Sequence, residues 1–239
     1  MRAWQTSSLI ILWGMAAGML LWASGADIRL QFWLAAHYHE SVDAVARTIS
    51  DIGLGRNQIL ALLVVALGTH ACKGHGIVVM GRGIVGAFVQ LGLFVRGRFV
   101  WCAAWKNLTP AHRAVWAGIP IFAVVGVMNF ILKNMIGRPR PKEILWNGTW
   151  PFDVTPFASS SFMSFPSGHT ASTAAIATVL GMAFPAWRVP LVLMVAAVAV
   201  ARVMTLTSHY AGDVVAGAAL GWGVSWVICH KMGIGKRDA

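Results

Sequence analysis

Several uninterrupted apolar stretches approach or reach the length that a helix needs to cross a bilayer. Such a helix takes about 20 residues, and none of these stretches alternates polar and apolar residues as the strands of a membrane barrel do. The chain has 239 residues, of which 57% are hydrophobic and 11% charged, with a mean hydropathy of +0.67. This composition excludes an ordinary soluble domain. We therefore expect an all-α fold: a polytopic membrane helical bundle of about six transmembrane helices, built as one domain over residues 1–239.

The predicted spans are separated by polar or proline-containing segments. They cover residues 8–23, 57–71, 115–132, 168–184, 189–206 and 212–229. Residues 27–56 are expected outside the membrane or along its surface, with an amphipathic piece near 28–36. Residues 76–95 are also apolar, but Arg82 interrupts them, so an interfacial or re-entrant segment is predicted there. The first span is expected to be retained, because residues 23–26 match a signal-peptide cleavage site only loosely.

The formal net charge of +11 does not indicate a nucleic-acid partner. Lysines and arginines fall mainly between and beyond the apolar runs rather than on one basic face. With a cytoplasmic N-terminus, the predicted topology puts eleven of the nineteen basic residues inside, as the positive-inside rule favours. Four of those left outside crowd the loop after the third span, where an anion site would account for them: Lys133, Arg138, Arg140 and Lys142.

The stretch from Phe165 to Thr170 has the pattern of a tight turn that opens a helix. Pro166 and Gly168 suit the turn, Ser167 offers a hydroxyl and a backbone N–H, and small residues continue to Gly181. The free N–H groups and the positive end of the helix dipole favour an anion at this point. A histidine in the turn, His169, could pass a proton to an oxygen leaving a bound phosphate.

Four cationic residues lack an equal number of nearby acidic residues in the second half of the chain. Lys133, Arg138 and Arg140 follow the third span closely, and Arg202 lies at membrane depth, where an arginine usually faces a partner or an aqueous cavity. The obvious counter-ion is Asp213, and one carboxylate cannot neutralise four cations. A bound phosphate would supply the missing negative charge, because guanidinium groups match its oxygens with paired donors.

A histidine and an aspartate four residues apart, His209 and Asp213, are expected on one helix face. The carboxylate can then orient the imidazole and leave its other nitrogen free as a base or nucleophile. A zinc site built from these residues and His169 is disfavoured by the surrounding cations. The three cysteines, Cys72, Cys102 and Cys229, lack the spacing of a metal site or a disulfide framework. We therefore expect no metal and no cofactor.

Three segments of the chain resemble the three-part signature of the type 2 phosphatidic acid phosphatase superfamily. Lys133, six residues and then Arg140-Pro141 match the first motif, and Pro166-Ser167-Gly168-His169 match the second. The third runs from Arg202 to Asp213 and departs from the family pattern: Ala201 stands in place of serine, and six residues rather than five separate Arg202 from His209. The resemblance covers the motif-bearing core, residues 115–229.

The resemblance implies a membrane phosphatase with a phosphohistidine intermediate. Carried onto this sequence, it makes His209 the nucleophile, Asp213 the residue that orients it and His169 the proton donor. The implied phosphate-binding residues are Lys133, Arg140, Ser167, Gly168 and Arg202.

The implied substrate is a lipid phosphate in the bilayer: lipid A, undecaprenyl diphosphate or a phosphatidyl phosphate. The spacing of the first motif and the compact plan are similar to those of lipid A phosphatases. The implied location is the bacterial inner membrane, with the site facing the periplasm.

Two other readings stay open. The first is a transporter or channel in which Arg202, His209 and Asp213 bind an anion or relay protons, although no internal repeat supports it. The second is a relative that binds lipid without hydrolysing it, or that holds vanadate in the same cradle as haloperoxidases do. Nothing in the sequence outside the motifs favours the lipid-binding relative or the vanadate site.

Overall fold

A computed structural model describes residues 3–71 and 110–235 of the chain. These residues form α-helices and two short 3-10 turns, Ser160–Phe162 and Pro185–Trp187, without a strand in the described ranges. The all-α prediction is confirmed. The helices are α1 (Ala3–Ala23), α2 (Ala26–Ala36), α3 (Glu40–Ile52), α4 (Gly55–Ala71), α5 (Pro110–Ile136), α6 (Pro141–Asn147), α7 (Gly168–Ala183), α8 (Arg188–Met204) and α9 (Ala211–Lys231).

Four helical segments in the described part of the chain are long and apolar enough to cross a membrane: Gln5–Ala23, His112–Asn147, Pro185–Met204 and Ala211–Lys231. The membrane character is therefore confirmed. The other two predicted spans correspond to α4, with 17 residues, and α7, with 16. The total of six crossings stays a prediction, and the expected interfacial segment 76–95 lies outside the described residues.

Helix α9 lies between α1 and α7, which are its most extensive packing partners. The main core is formed where α5, α7 and α9 meet, and small side chains there keep the helices close. Gly217 and Gly221 of α9 mark the closest approach: a Cβ on them would lie 2.4 Å from the Ser167 carbonyl oxygen and 2.0 Å from that of Ala171. Gly217 thus brings α9 directly against the turn that opens α7.

The segment expected outside the membrane or along its surface, residues 27–56, packs against the helical bundle. Helix α3 packs against α8, and a Cβ on Gly53 at its end would lie 3.0 Å from the His169 Cβ. Helix α2 exposes Trp33 but buries the polar side chains of Asp27 and Gln31. The position of this segment relative to the membrane stays a prediction, and the polar groups of α2 find partners inside the bundle.

Candidate active site

The turn before α7 is fixed by its own serine and leaves the start of the helix open. The Ser167 N–H donates to the Asp213 carbonyl at 2.9 Å, and its hydroxyl accepts from Thr170 Oγ1 at 3.1 Å. The first bond of the helix runs from the Ala171 N–H to the Ser167 carbonyl, 3.0 Å. The N–H groups of Gly168, His169 and Thr170 precede that bond and have no acceptor within the helix, which is the geometry of an anion site.

Helix α5 supports this turn and brings a cation beside it. Asn129 Nδ2 donates to the Pro166 carbonyl at 3.3 Å. A Cβ on Gly168 would lie 3.3 Å from Asn129 Oδ1 and 3.9 Å from Lys133 Cε, so glycine allows α5 to approach. Lys133, one helical turn after Asn129, donates from Nζ to the Met163 carbonyl at 2.8 Å. The ammonium group of Lys133 therefore lies beside the turn that opens α7.

Two arginines complete the cationic group. Arg140 donates from Nε to the Ser160 carbonyl at 3.0 Å, and its backbone N–H donates to the Ser161 carbonyl at 2.8 Å. Arg202 lies in the last turn of α8, and within the described part of the chain its buried Nε has no hydrogen-bond partner. The charges of Lys133, Arg140 and Arg202 act on one another and on the His169 ring. Three cations this close repel each other, and a bound phosphate would offset the repulsion.

The histidine and aspartate predicted on one helix face do meet, but not on one helix. His209 lies in the linker 205–210, and Asp213 lies in the first turn of α9. His209 Nδ1 is 3.5 Å from Asp213 Oδ2, and both side chains are buried, with exposed fractions of 2% and 0%. The expectation of a shared helix is wrong because the chain turns at Tyr210, the residue before α9.

The environment of His209 favours its neutral form. Burial lowers the pKa of its imidazole well below the ordinary value, and the charges of Lys133 and Arg202 lower it further, while Asp213 acts in the opposite direction. A neutral imidazole keeps a lone pair on one nitrogen, which a nucleophile or base requires. His209 is therefore held in a form that could attack phosphorus.

The linker also absorbs the departure from the family spacing. Arg202 ends α8, whereas His209 comes before α9, so the extra residue falls between two helices. The linker is held compact by hydrogen bonds from the Thr205 N–H to the Ala201 carbonyl and from the Ser208 N–H to the Thr205 carbonyl, each 3.1 Å. The longer spacing therefore leaves Arg202 and His209 at the same end of the bundle.

Arg138 is not one of the unpaired cations, so the prediction of four such residues is wrong on this point. Its Nη1 lies 2.6 Å from Asp213 Oδ1 and its Nη2 lies 2.9 Å from Asp27 Oδ2, with the guanidinium 1% exposed. It is therefore neutralised inside the protein and is not available to a substrate. The prediction that Asp213 is the obvious counter-ion is incomplete, because Asp27, 111 residues before Arg138, is a second one.

Three supporting residues were missed by sequence reasoning: Asp27, Gln31 and Ser164. Ser164 donates from Oγ to Asp213 Oδ2 at 2.5 Å, and Gln31 donates from Nε2 to the His209 carbonyl at 3.1 Å. Asp27 and Gln31 carried a usable signal, because two polar residues four apart share one face of a helix that is apolar except for Arg29, and they need partners there. Ser164 carried none, since a serine in a loop is ordinary.

No group of three His, Cys, Asp or Glu residues in ranges 3–71 and 110–235 could hold a metal ion. That the reaction needs no metal ion stays a prediction. The residues that converge are two histidines, a carboxylate and three cations, together with a helix start. Such a set can hold a phosphoryl group and transfer it to a histidine.

Comparison with known proteins agrees with this geometry. The PAP2 superfamily model matches residues 114–234. A lipid A 1-phosphatase from Rhizobium etli is 36% identical over 143 residues, 56% of this chain and 59% of that protein. A decaprenylphosphoryl-5-phosphoribose phosphatase from Mycobacterium tuberculosis is 32% identical over 148 residues, 58% of this chain and 76% of that protein. The chain thus spans less than two thirds of the length of the lipid A 1-phosphatases it matches.

The fold has a solved counterpart. The crystal structure of a transmembrane PAP2-type phosphatidylglycerolphosphate phosphatase from Bacillus subtilis matches with a TM-score of 0.63 at 19% identity, over 100% of both chains. At that identity the match establishes the shared fold. Together with the family match over half of the sequence, it shows that this chain belongs to the PAP2 superfamily.

Proposed function

We propose that the protein is an integral-membrane phosphatase that hydrolyses a lipid phosphate through a phosphohistidine at His209. The observation that carries the proposal is the meeting of the His209–Asp213 pair with the α7 helix start and with Lys133 and Arg202 at one end of the bundle. The names of the relatives, phosphatases of lipid A and of a decaprenyl-linked sugar phosphate, support the same class of substrate. The proposal treats residues 1–239 as a single phosphatase domain.

In the first step, the free nitrogen of His209 attacks phosphorus, and the bond from phosphorus to the lipid oxygen breaks. The negative charge of the bound phosphate offsets the three cations around His169 and favours its protonated form. His169 then gives its proton to that oxygen, so that the lipid leaves as a neutral hydroxyl. Asp213 holds the opposite ring nitrogen and stabilises the charge that the imidazole gains. Lys133, Arg140, Arg202 and the α7 N–H groups hold the phosphoryl oxygens, and positioning and charge stabilisation provide most of the catalysis.

In the second step, water attacks the phosphohistidine. His169, now neutral, takes a proton from that water, the bond between phosphorus and nitrogen breaks, and inorganic phosphate is released. His209 returns to its neutral form. No residue in this scheme requires a metal ion.

Lipid A comes first among the proposed substrates because the two Rhizobium relatives carry that name, with undecaprenyl diphosphate and phosphatidyl phosphate after it. The proposed location is the bacterial inner membrane with the site on the periplasmic side. The positive-inside rule supports that orientation, since it keeps eleven of nineteen basic residues in the cytoplasm.

Phosphate release from purified protein tests the proposal. Wild type, His209→Ala and His230→Ala are incubated in EDTA with lipid A, undecaprenyl diphosphate and phosphatidic acid. His230 lies at the opposite end of α9 and serves as the matched control. Release by wild type and His230→Ala but not by His209→Ala is expected. Release that persists in His209→Ala would exclude this nucleophile, and dependence on added metal would exclude the metal-free scheme.

A further inference from the structure

Helix α2 presents two polar side chains to the interior of the bundle. Asp27 and Gln31 are four residues apart and therefore share one helix face, and they are 1% and 2% exposed. The opposite face carries apolar side chains that are largely exposed, such as Phe32 at 52% and Trp33 at 57%. Buried polar groups in a membrane protein are costly unless they are paired, so their partners define the role of α2.

Gln31 holds the main chain around the nucleophile. Its Nε2 donates to the carbonyl of Val203 and to the carbonyl of His209, both at 3.1 Å. One amide thereby joins the end of α8 to the linker residue that bears the imidazole. The backbone position of His209 is fixed by a helix that contributes no group to the phosphate site.

Asp27 acts on the side chain of Asp213 through Arg138. The guanidinium bridges the two carboxylates at 2.9 and 2.6 Å, and it lies between two aromatic rings, 4.5 Å from the Trp22 centroid and 4.0 Å from that of Tyr210. Bonds on two sides and rings on two sides leave the guanidinium one orientation. Arg138 is therefore a fixed donor to Asp213 rather than a mobile charge.

The oxygens of Asp213 are divided between two tasks as a result. Oδ1 accepts from Arg138, whereas Oδ2 accepts from Ser164 Oγ and from the Tyr210 N–H at 3.0 Å and faces His209 Nδ1. If Arg138 moved, the carboxylate could rotate and Oδ2 would lose its direction toward the imidazole. The orientation of the nucleophile thus depends on Asp27 through two further side chains.

The close approach of α1 to α9 brings Asp27 near the first turn of α9. A Cβ on Gly18 of α1 would lie 2.6 Å from the Gly212 carbonyl oxygen, and a Cβ on Gly212 would lie 3.0 Å from Asp27 Oδ2. Only glycines allow α1 and α9 to come so near, and α2 follows α1 directly. The corner between α1 and α2 is thereby placed against the first turn of α9.

We infer that α2 positions the nucleophile: Asp27, through Arg138 and Asp213, sets the direction of the His209 ring, and Gln31 sets its backbone. The inference rests on the proposed function, since it concerns the same histidine. Both are positioning residues, because neither touches the reacting atoms. Small displacements of a reacting group can lower a rate about 100-fold, so loss of either residue is expected to affect turnover more than substrate binding.

The test compares Asp27→Asn, Asp27→Glu, Gln31→Leu and the control Arg29→Gln, which changes the exposed face of α2. Steady-state kinetics are measured on the best lipid phosphate, together with the ¹⁵N spectrum of the His209 ring, assigned through His209→Gln. Asp27→Asn and Gln31→Leu are expected to lower kcat by about 10- to 100-fold with KM unchanged and to shift the His209 signals. Asp27→Glu should recover part of the rate, and Arg29→Gln should match wild type.

Three results would overturn the inference: wild-type kcat in Asp27→Asn or Gln31→Leu, a rise of KM at constant kcat, or an unchanged His209 spectrum. If Asp27→Asn does not fold, Gln31→Leu carries the test, because it breaks neutral hydrogen bonds and leaves no buried charge unpaired. A wild type that releases phosphate from no lipid would contradict the proposed function instead. In that case the ¹⁵N comparison still decides whether α2 orients the ring.

Discussion

The Ser164 hydroxyl donates to Asp213 Oδ2 at 2.5 Å, in a pair of residues that are both fully buried. Ser164 belongs to the loop that leads into the Phe165–Thr170 turn, and Asp213 belongs to the first turn of α9. The short contact therefore ties the element carrying His169 to the carboxylate that faces His209. The proton donor and the nucleophile of the proposed reaction are connected through this bond.

Ser164→Ala should lower both stability and turnover. A hydrogen bond to a charged group contributes about 1.5–3 kcal/mol, and Asp213 Oδ2 would keep only the Tyr210 N–H and the His209 ring. Thermal unfolding in detergent and phosphate release measure the two effects. Ser159→Ala is the control, since Ser159 is exposed and makes no capping bond from its side chain. Equal behaviour of the two variants would exclude a role for the Ser164 bond.

Gly217→Ala should separate α9 from the α7 turn. The added methyl group would lie 2.4 Å from the Ser167 carbonyl oxygen, which is backbone and cannot move aside cheaply. Overpacking of this kind costs about 1–3 kcal/mol, and displacement of the turn should also lower phosphate release. Gly126→Ala in α5 is the matched control, because its methyl group would meet nothing within 4 Å. It should be neutral, or stabilising by up to about 1 kcal/mol through helix propensity. Tolerance of alanine at Gly217 would contradict the close packing.

Arg202→Lys should remove a paired donor from the phosphoryl group while keeping the positive charge. Loss of one preorganised donor to a developing anion lowers rates by about 100- to 1,000-fold, and lysine replaces the planar fork poorly. The ratio kcat/KM for a lipid phosphate is the measurement. Arg188→Lys changes the other end of α8, where Arg188 donates to the Gly181 carbonyl at 3.0 Å, and should leave the rate unchanged. Similar rates for Arg202→Lys and wild type would remove Arg202 from the site.

The residues that carry chemistry could be predicted because each stands in a local pattern. The Pro166–His169 turn, the cations after the third span and the His209–Asp213 spacing are visible within a few residues of chain. The partners that orient them come from distant segments, and nothing local marks them. Arg138 looked like a free cation because its second carboxylate, Asp27, is 111 residues away in the chain.

The last span was predicted to begin at residue 212, one residue after the observed start of α9, whereas the predicted shared helix of His209 and Asp213 is wrong. The spacing of His209 and Asp213 suits a helix, yet α9 begins only at Ala211. The N–H of Tyr210 donates to the carboxylate of Asp213 three residues later, and this N-capping bond starts the helix after His209 rather than before it. The pair still meets, because a first-turn carboxylate reaches back to the residues that precede the helix.

The stability of the protein should fall as the pH drops below about 6.5, partly because of His209. Burial lowers the pKa of its imidazole in the folded state, whereas the unfolded chain binds a proton near the ordinary value. Between those two pKa values only the unfolded state is protonated, so acid favours unfolding. The difference between melting temperatures at about pH 7.5 and about pH 5 should be smaller in His209→Gln than in wild type. His230→Gln serves as the control. An equal pH dependence of the melting temperature in wild type, His209→Gln and His230→Gln would contradict a neutral, buried His209.

The central claim is that His209 becomes covalently phosphorylated, and trapping the intermediate tests it most directly. Wild type, His169→Ala and His209→Ala are mixed with a ³²P-labelled lipid phosphate and quenched in alkaline denaturant, which preserves phosphohistidine. Label on the peptide containing His209 in wild type, and none in His209→Ala, is the predicted result. Phosphate release without label on His209, or label on His169 instead, would contradict the account.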